Sequence, residues 1–132
     1  TLGDRHTSTL KLITWLGGLL QAKGDLDGAE VLYREALEGQ RETLGDRDPI
    51  TLTSINNLGL LLQKKGDLDG AAPLIREALE GMQETLGDRH LDTLISIGNL
   101  GLVLKDKGDL DGAAPLLREA LDAQQRRSAT GT

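Results

Sequence analysis

The 132-residue chain contains no cysteine and no phenylalanine, one tryptophan, one tyrosine and three prolines. Without cysteine there are no disulfides, no thiolate zinc sites and no cysteine nucleophile, and the redox compartment is left undetermined. With so few aromatics, a core has to be built from Leu, Ile and Ala, within an overall hydrophobic content of 38%. Positive charge is also in deficit. Fifteen Lys and Arg stand against 21 Asp and Glu, a net charge of −6, which argues against a nucleic-acid or anionic-membrane surface. No apolar run approaches the ~20 residues that a membrane span needs. No signal-peptide pattern opens the chain, and cytoplasmic placement is the expectation. The chain starts at Thr1 without Met, as a segment excised from a longer protein would.

What the chain does have is repetition. Thr-Leu-Gly-Asp-Arg opens at Thr1, Thr43 and Thr85, giving units 1–42, 43–84 and 85–126 and a short tail, 127–132. Residues 43–84 and 85–126 agree at 29 of 42 positions, and 1–42 and 43–84 at 28. Self-similarity at such a period marks a solenoid or array in which each unit buries its apolar face by stacking on its neighbours. In the middle unit, Leu52, Ile55, Leu58 and Leu62 are spaced three and four apart. Leu68, Ala71, Leu74, Ile75, Ala78, Leu79 and Met82 follow at the same helical spacing. Each unit is therefore read as two helices, six in all, in antiparallel pairs.

The punctuation fits. Asp48-Pro49 reads as an N-cap followed by proline at the first helical position. Gly66 ends the first helix in the left-handed conformation and Gly87 ends the second. Asp67 or Asp69 caps the second helix; Asp69 is the preferred reading, because Pro73 then falls near the first turn. Gly28, Gly70 and Gly112 each cost roughly 0.5–1 kcal/mol against Ala inside a helix, so the corner between the two helices is expected to be loose.

The pattern Leu58-Gly59, Leu62, Gly66, Leu68, Ala71, Ile75, Ala78-Leu79 resembles the tetratricopeptide repeat. It recurs as Leu16-Gly17 to Ala36-Leu37 and as Leu100-Gly101 to Ala120-Leu121. Helices 8–10 Å apart need Gly or Ala where they approach most closely. The 42-residue unit, with its Leu-Gly-Asp-Arg linker and Ser-Ile-Asn-Asn-Leu-Gly stretch, resembles the kinesin-light-chain type rather than the usual 34-residue unit. The resemblance covers residues 1–126 and implies an all-α superhelical solenoid whose first helices line a concave, peptide-binding groove.

By register, the groove positions are Lys11, Thr14, Trp15, Gly18 and Gln21, then Thr53, Asn56, Asn57, Leu60 and Gln63, then Ile95, Gly98, Asn99, Leu102 and Lys105. Asparagine suits this role because one side chain offers both donor and acceptor to an extended backbone. The resemblance implies peptide contact at Asn56, Asn57 and Asn99; the alternative is that they only solvate a helix face. Trp15 reads either as a binding anchor or as cover for the first repeat. Some relatives clamp a C-terminal carboxylate with cations at positions that are here Thr14, Gly18, Gly98 and Leu102, so that mode is not expected.

Catalysis is not expected either, because the chain repeats like groups 42 residues apart instead of converging unlike ones. His6 and His90 occupy equivalent linker positions and read as linker or capping residues. Gly-Asp-Leu-Asp-Gly at 24–28, 66–70 and 108–112 reads as helix capping, since it lacks the later ligands of a calcium loop. The expected partner is a protein or peptide, neutral or basic given the net −6, with no metal, cofactor, nucleic acid or membrane. Leu12, Leu16 and Leu19 at one end, and Leu116, Leu117 and Ala120 at the other, are expected to promote end-to-end self-association or helix exchange between chains.

Overall fold

The computed structural model describes residues 7–129, so His6 and residues 130–132 of the tail lie outside the described part. Six helices follow one another: α1 (Thr7–Ala22), α2 (Leu26–Leu44), α3 (Pro49–Lys65), α4 (Leu68–Leu86), α5 (Leu91–Asp106) and α6 (Leu110–Ala129). Each packs on the next in sequence. Beyond that, α3 also meets α5, whereas no two of the second helices α2, α4 and α6 approach one another. The first helices α3 and α5 thus approach one another as no two second helices do. α6 continues through Ala129, three residues past the last repeat position.

The corner inside each repeat is short and tightly bonded. In the middle repeat Gly66 adopts φ 87° and ψ 4°. Its N–H donates to the Gln63 carbonyl (3.0 Å) and the N–H of Asp67 donates to the Leu62 carbonyl (2.8 Å). This is a Schellman ending, and only glycine takes the left-handed turn without strain. The residue that completes it, Asp67, is also the N-cap of α4, its carboxylate accepting from the N–H of Gly70 at 3.0 Å. Asp25 and Asp109 do the same for Gly28 and Gly112.

The cap is therefore the first aspartate of the motif and not Asp69. The Schellman turn fixes where α4 begins, and Pro73 is carried inside the helix as a consequence. The loose corner expected from Gly70 is absent for the same reason. A Cβ there would stand 2.5 Å from the capping carboxylate, so glycine is what lets the cap close. Asp48 caps α3 as read from the sequence, accepting from the Ile50 N–H at 2.9 Å. At the equivalent point before α5, His90 accepts from the Asp92 N–H through Nδ1 at 3.1 Å.

The core follows the apolar register. Leu52, Ile55, Leu58, Leu61 and Ile75 are fully buried, with Ala71 and Ala78 where helices approach. The small residues sit where the resemblance implies. A Cβ on Gly59 would lie 2.7 Å from Ile75 Cγ1, one on Gly17 2.7 Å from Tyr33 Cε1, and one on Gly101 2.8 Å from Leu117 Cγ.

Between repeats the ties are polar and periodic. Lys65 pairs with Asp27 and Glu30 of the preceding repeat, both at 2.6 Å, and Lys107 pairs with Asp69 at 3.1 Å. Arg41 makes a two-pronged contact with Glu77, at 2.7 and 3.0 Å. Hydrogen bonding to Glu77 raises the already high pKa of Arg41.

Candidate functional site

Among the nominated groove residues, the structure gathers those of the first two repeats. Lys11, Thr14 and Trp15 from α1 face Thr53 and Asn57 from α3 across a cavity of about 260 Å³, which Gln40, Pro49, Ile50 and Ser54 complete. Trp15 stands over it with two thirds of its surface exposed. Asn57 of the facing α3 lines the same space.

The hydroxyls of Thr14 and Thr53 donate back to their own helices, to the carbonyls of Leu10 (3.0 Å) and Pro49 (2.9 Å). Such back-bonding is a common arrangement of Thr in helices. It leaves their lone pairs, and not their protons, for a ligand. Gln40 is almost wholly buried, and its Oε1 has no hydrogen-bond partner. Its equivalent one repeat on, Met82, is satisfied, accepting from Ser96 Oγ at 3.2 Å. The cavity thus combines apolar walls from Trp15, Pro49 and Ile50 with several acceptors, and its single charged residue is Lys11.

The remaining nominees do not line this cavity. Gln63 is engaged across the array, its Nε2 donating to Asp106 Oδ2 at 3.2 Å. Gln21 accepts from the Tyr33 hydroxyl at 2.9 Å. Asn56 is half-buried with Oδ1 unpartnered. Asn99 is half-buried and Leu60 likewise, whereas Ile95, Leu102 and Lys105 are exposed on α5. A larger depression of about 460 Å³ runs along α4, lined by Asp69, Pro73, Arg76 and Lys107 among others. Of its charged residues, Lys107 pairs with Asp69 and Glu77 with Arg41 within the array.

Four residues of the cavity escape the register count: Gln40, Pro49, Ile50 and Ser54. Gln40 comes from the end of α2 and reaches the groove through the packing between repeats, whereas Pro49, Ile50 and Ser54 lie on α3 itself, within two turns of Asn57. Ile50 carried a signal, being an exposed apolar residue beside a proline in an otherwise polar linker. Among the described residues no group of three or more His, Asp or Glu is placed to hold a metal ion. No described helix is long and apolar enough to cross a membrane.

The tetratricopeptide-repeat family model matches residues 8–80 and 54–126. The chain belongs to this family. No protein of curated function matches it in sequence. Among solved structures, this tetratricopeptide array superimposes on BtubC (BKLC) from P. vanneervenii with a TM-score of 0.87 at 24% identity, covering 95% of this chain and 50% of that one. A Podospora anserina protein described as a kinesin light chain with nearly identical TPR-like repeats gives 0.81 at 25% identity, with 93% of this chain and 58% of that one covered. A point variant of that Podospora protein gives 0.84 at 23%, with 96% and 59% covered. The chain therefore spans between half and three fifths of these proteins, and the likeness extends the kinesin-light-chain-type resemblance from sequence to fold.

Proposed function

We propose that the chain is a non-enzymatic protein-binding scaffold that holds an extended peptide segment along its first helices, with the α1–α3 cavity as the anchoring point. The observation that carries this reading is the exposed Trp15 over a cavity whose acceptors are unengaged. An indole ring left in water beside a preformed pocket is the kind of surface on which interface energy concentrates. Asn57 at the cavity, and Asn99 further along the groove, supply paired donor and acceptor groups for a partner's backbone. Ile95 and Leu102 extend the apolar contact on α5.

The net charge of −6 argued for a neutral or basic segment. Within the cavity, however, the one charge is the ammonium of Lys11, so the proposal favours a neutral segment. The site of action is proposed to be the cytoplasm.

The test is a peptide-array screen followed by titration of the hits, read through the fluorescence of Trp15, the single tryptophan of the chain. Binding that shifts this emission, and is lost in an Asn57→Ala/Asn99→Ala double variant, supports the groove. Hits that survive the double variant and leave Trp15 unperturbed refute it. Failure of every peptide to bind favours the other reading, an array that serves as a spacer.

A further inference from the structure

The two interfaces between successive repeats are built from equivalent residues, but one buried position in them changes from polar to apolar. Between the second and third repeats, Met82 of α4 meets Ser96 of α5, whose hydroxyl donates to its sulfur at 3.2 Å. Forty-two residues earlier the pair is Gln40 of α2 and Ser54 of α3. Gln40 is 3% exposed, and its Oε1 has no hydrogen-bond partner. Ser54 is buried as well and makes no hydrogen bond to another described residue. Both line the cavity between α1 and α3. A polar group held in a core without a partner lowers stability, and Met82 shows that the fold accepts an apolar residue at this point. The unpaired groups therefore point to a partner that enters from the cavity.

The lining selects the chemistry of that partner. It holds no carboxylate, so a lysine or arginine side chain entering it would bury its charge unpaired, near the ammonium of Lys11. A carboxylate offers acceptors only. It would meet the Gln40 oxygen and the lone pairs of Thr14 and Thr53, whose protons already go to the Leu10 and Pro49 carbonyls. An apolar side chain leaves Gln40 and Ser54 as they are, and a hydroxyl brings a single donor. A primary amide brings two donors and an acceptor. That is enough for the Gln40 oxygen, one threonine and the Ser54 proton together. The Gln40 oxygen is shielded from solvent, but the terminal torsion of glutamine is soft and lets it turn to the cavity.

We infer that the α1–α3 cavity selects a primary-amide side chain, glutamine or asparagine, of the bound peptide, with Gln40 and Ser54 as the residues that recognise it. This rests on the reading of the first helices as a peptide groove and names the side chain that the groove takes. The aliphatic stem of that side chain lies against Trp15 and Ile50, and its amide reaches the polar floor.

Each peptide recovered from the array screen is resynthesised with glutamine, glutamate, methionine or tyrosine at every position in turn and titrated through Trp15 emission. One position is expected to require glutamine or asparagine. Glutamate, methionine and tyrosine there should each weaken binding by roughly tenfold or more, since they leave buried polar groups unpaired. Gln40→Met installs the residue of the next repeat. This variant is expected to stay folded by circular dichroism and to melt at a higher temperature, because a buried oxygen without a partner is removed. On it the glutamine and methionine peptides are expected to bind alike. Methionine or tyrosine peptides that match the glutamine ones on the wild-type chain, while still shifting Trp15, would overturn the inference and leave the peptide groove standing. Preference for glutamine that persists in Gln40→Met, or a lower melting temperature for that variant, would overturn it too. Absence of any peptide ligand overturns both readings.

Discussion

Two glycines in first helices should respond in opposite directions to the same substitution. Gly59 lies at the α3–α4 crossing, where an added methyl would sit 2.7 Å from Ile75 Cγ1 and 3.4 Å from the Ala71 carbonyl oxygen. Carbon atoms prefer about 3.5–4.0 Å, so roughly 1 Å has to be found. Ile75 is fully buried and cannot swing away. Overpacking of this kind costs about 1–3 kcal/mol, against a helix-propensity gain of about 0.8–1 kcal/mol for Gly→Ala.

Gly59→Ala is therefore expected to destabilise by about 1 kcal/mol. Gly98, inside α5 with no atom within 4 Å of its would-be Cβ, has only the gain, and Gly98→Ala should stabilise by about 0.5–1 kcal/mol. At this chain length a separation of about 2 kcal/mol corresponds to roughly 6–10 °C in Tm. Urea titration with an unchanged m-value checks that the shift is one of stability. A third variant tests the cause: Ile75→Ala should cost about 1 kcal/mol less in the Gly59→Ala background than alone, since it removes the atom that clashes. If Gly59→Ala stabilises as much as Gly98→Ala, the close crossing is not where the structure puts it.

Pro73 lies inside α4 where repeat 1 has Val31. Pro73→Val should restore a main-chain donor to Asp69 and raise stability by about 1–3 kcal/mol, seen in thermal unfolding. Tyr33, the single tyrosine, has its pKa pushed above 10.0 by burial. Its ultraviolet titration midpoint should lie above that value, and the stability that the neutral phenol contributes should be present below pH 10 and lost as pH rises past it. Glu30 is held below its ordinary 4.5, first by the hydrogen bond from Lys65 and second by that from Arg34. Its contribution is complete above pH 4.5 and disappears as pH falls through the lower folded value, so Glu30→Gln should flatten the acid limb of the stability profile. Little change in that limb would show that the Lys65 pairing is too solvated to matter.

The sequence was most informative where one local rule acts alone. Helix register, the Asp48-Pro49 start, the Gly66 stop and the small residues at helix crossings all follow from spacing and backbone chemistry. It misled where two rules compete. At Asp67 and Asp69 the wish to keep Pro73 near a helix start pointed to the second aspartate, but the ending of the preceding helix decides the cap. The cavity was half legible. Lys11, Thr14, Trp15, Thr53 and Asn57 follow from register, whereas Gln40 arrives from α2 through the packing between successive repeats, which no single-helix periodicity encodes.

The corner in which one aspartate finishes the first helix and starts the second leaves no residue to spare. Inserting a single amino acid between Leu62 and Leu68 would have to break the shared turn or rotate α4 by about 100° about its axis, swinging Ile75 away from Gly59. The linker from Gly45 to Asp48, between repeats, carries no such double duty. Length variation among descendants of this chain should therefore accumulate between units and spare the turn within them.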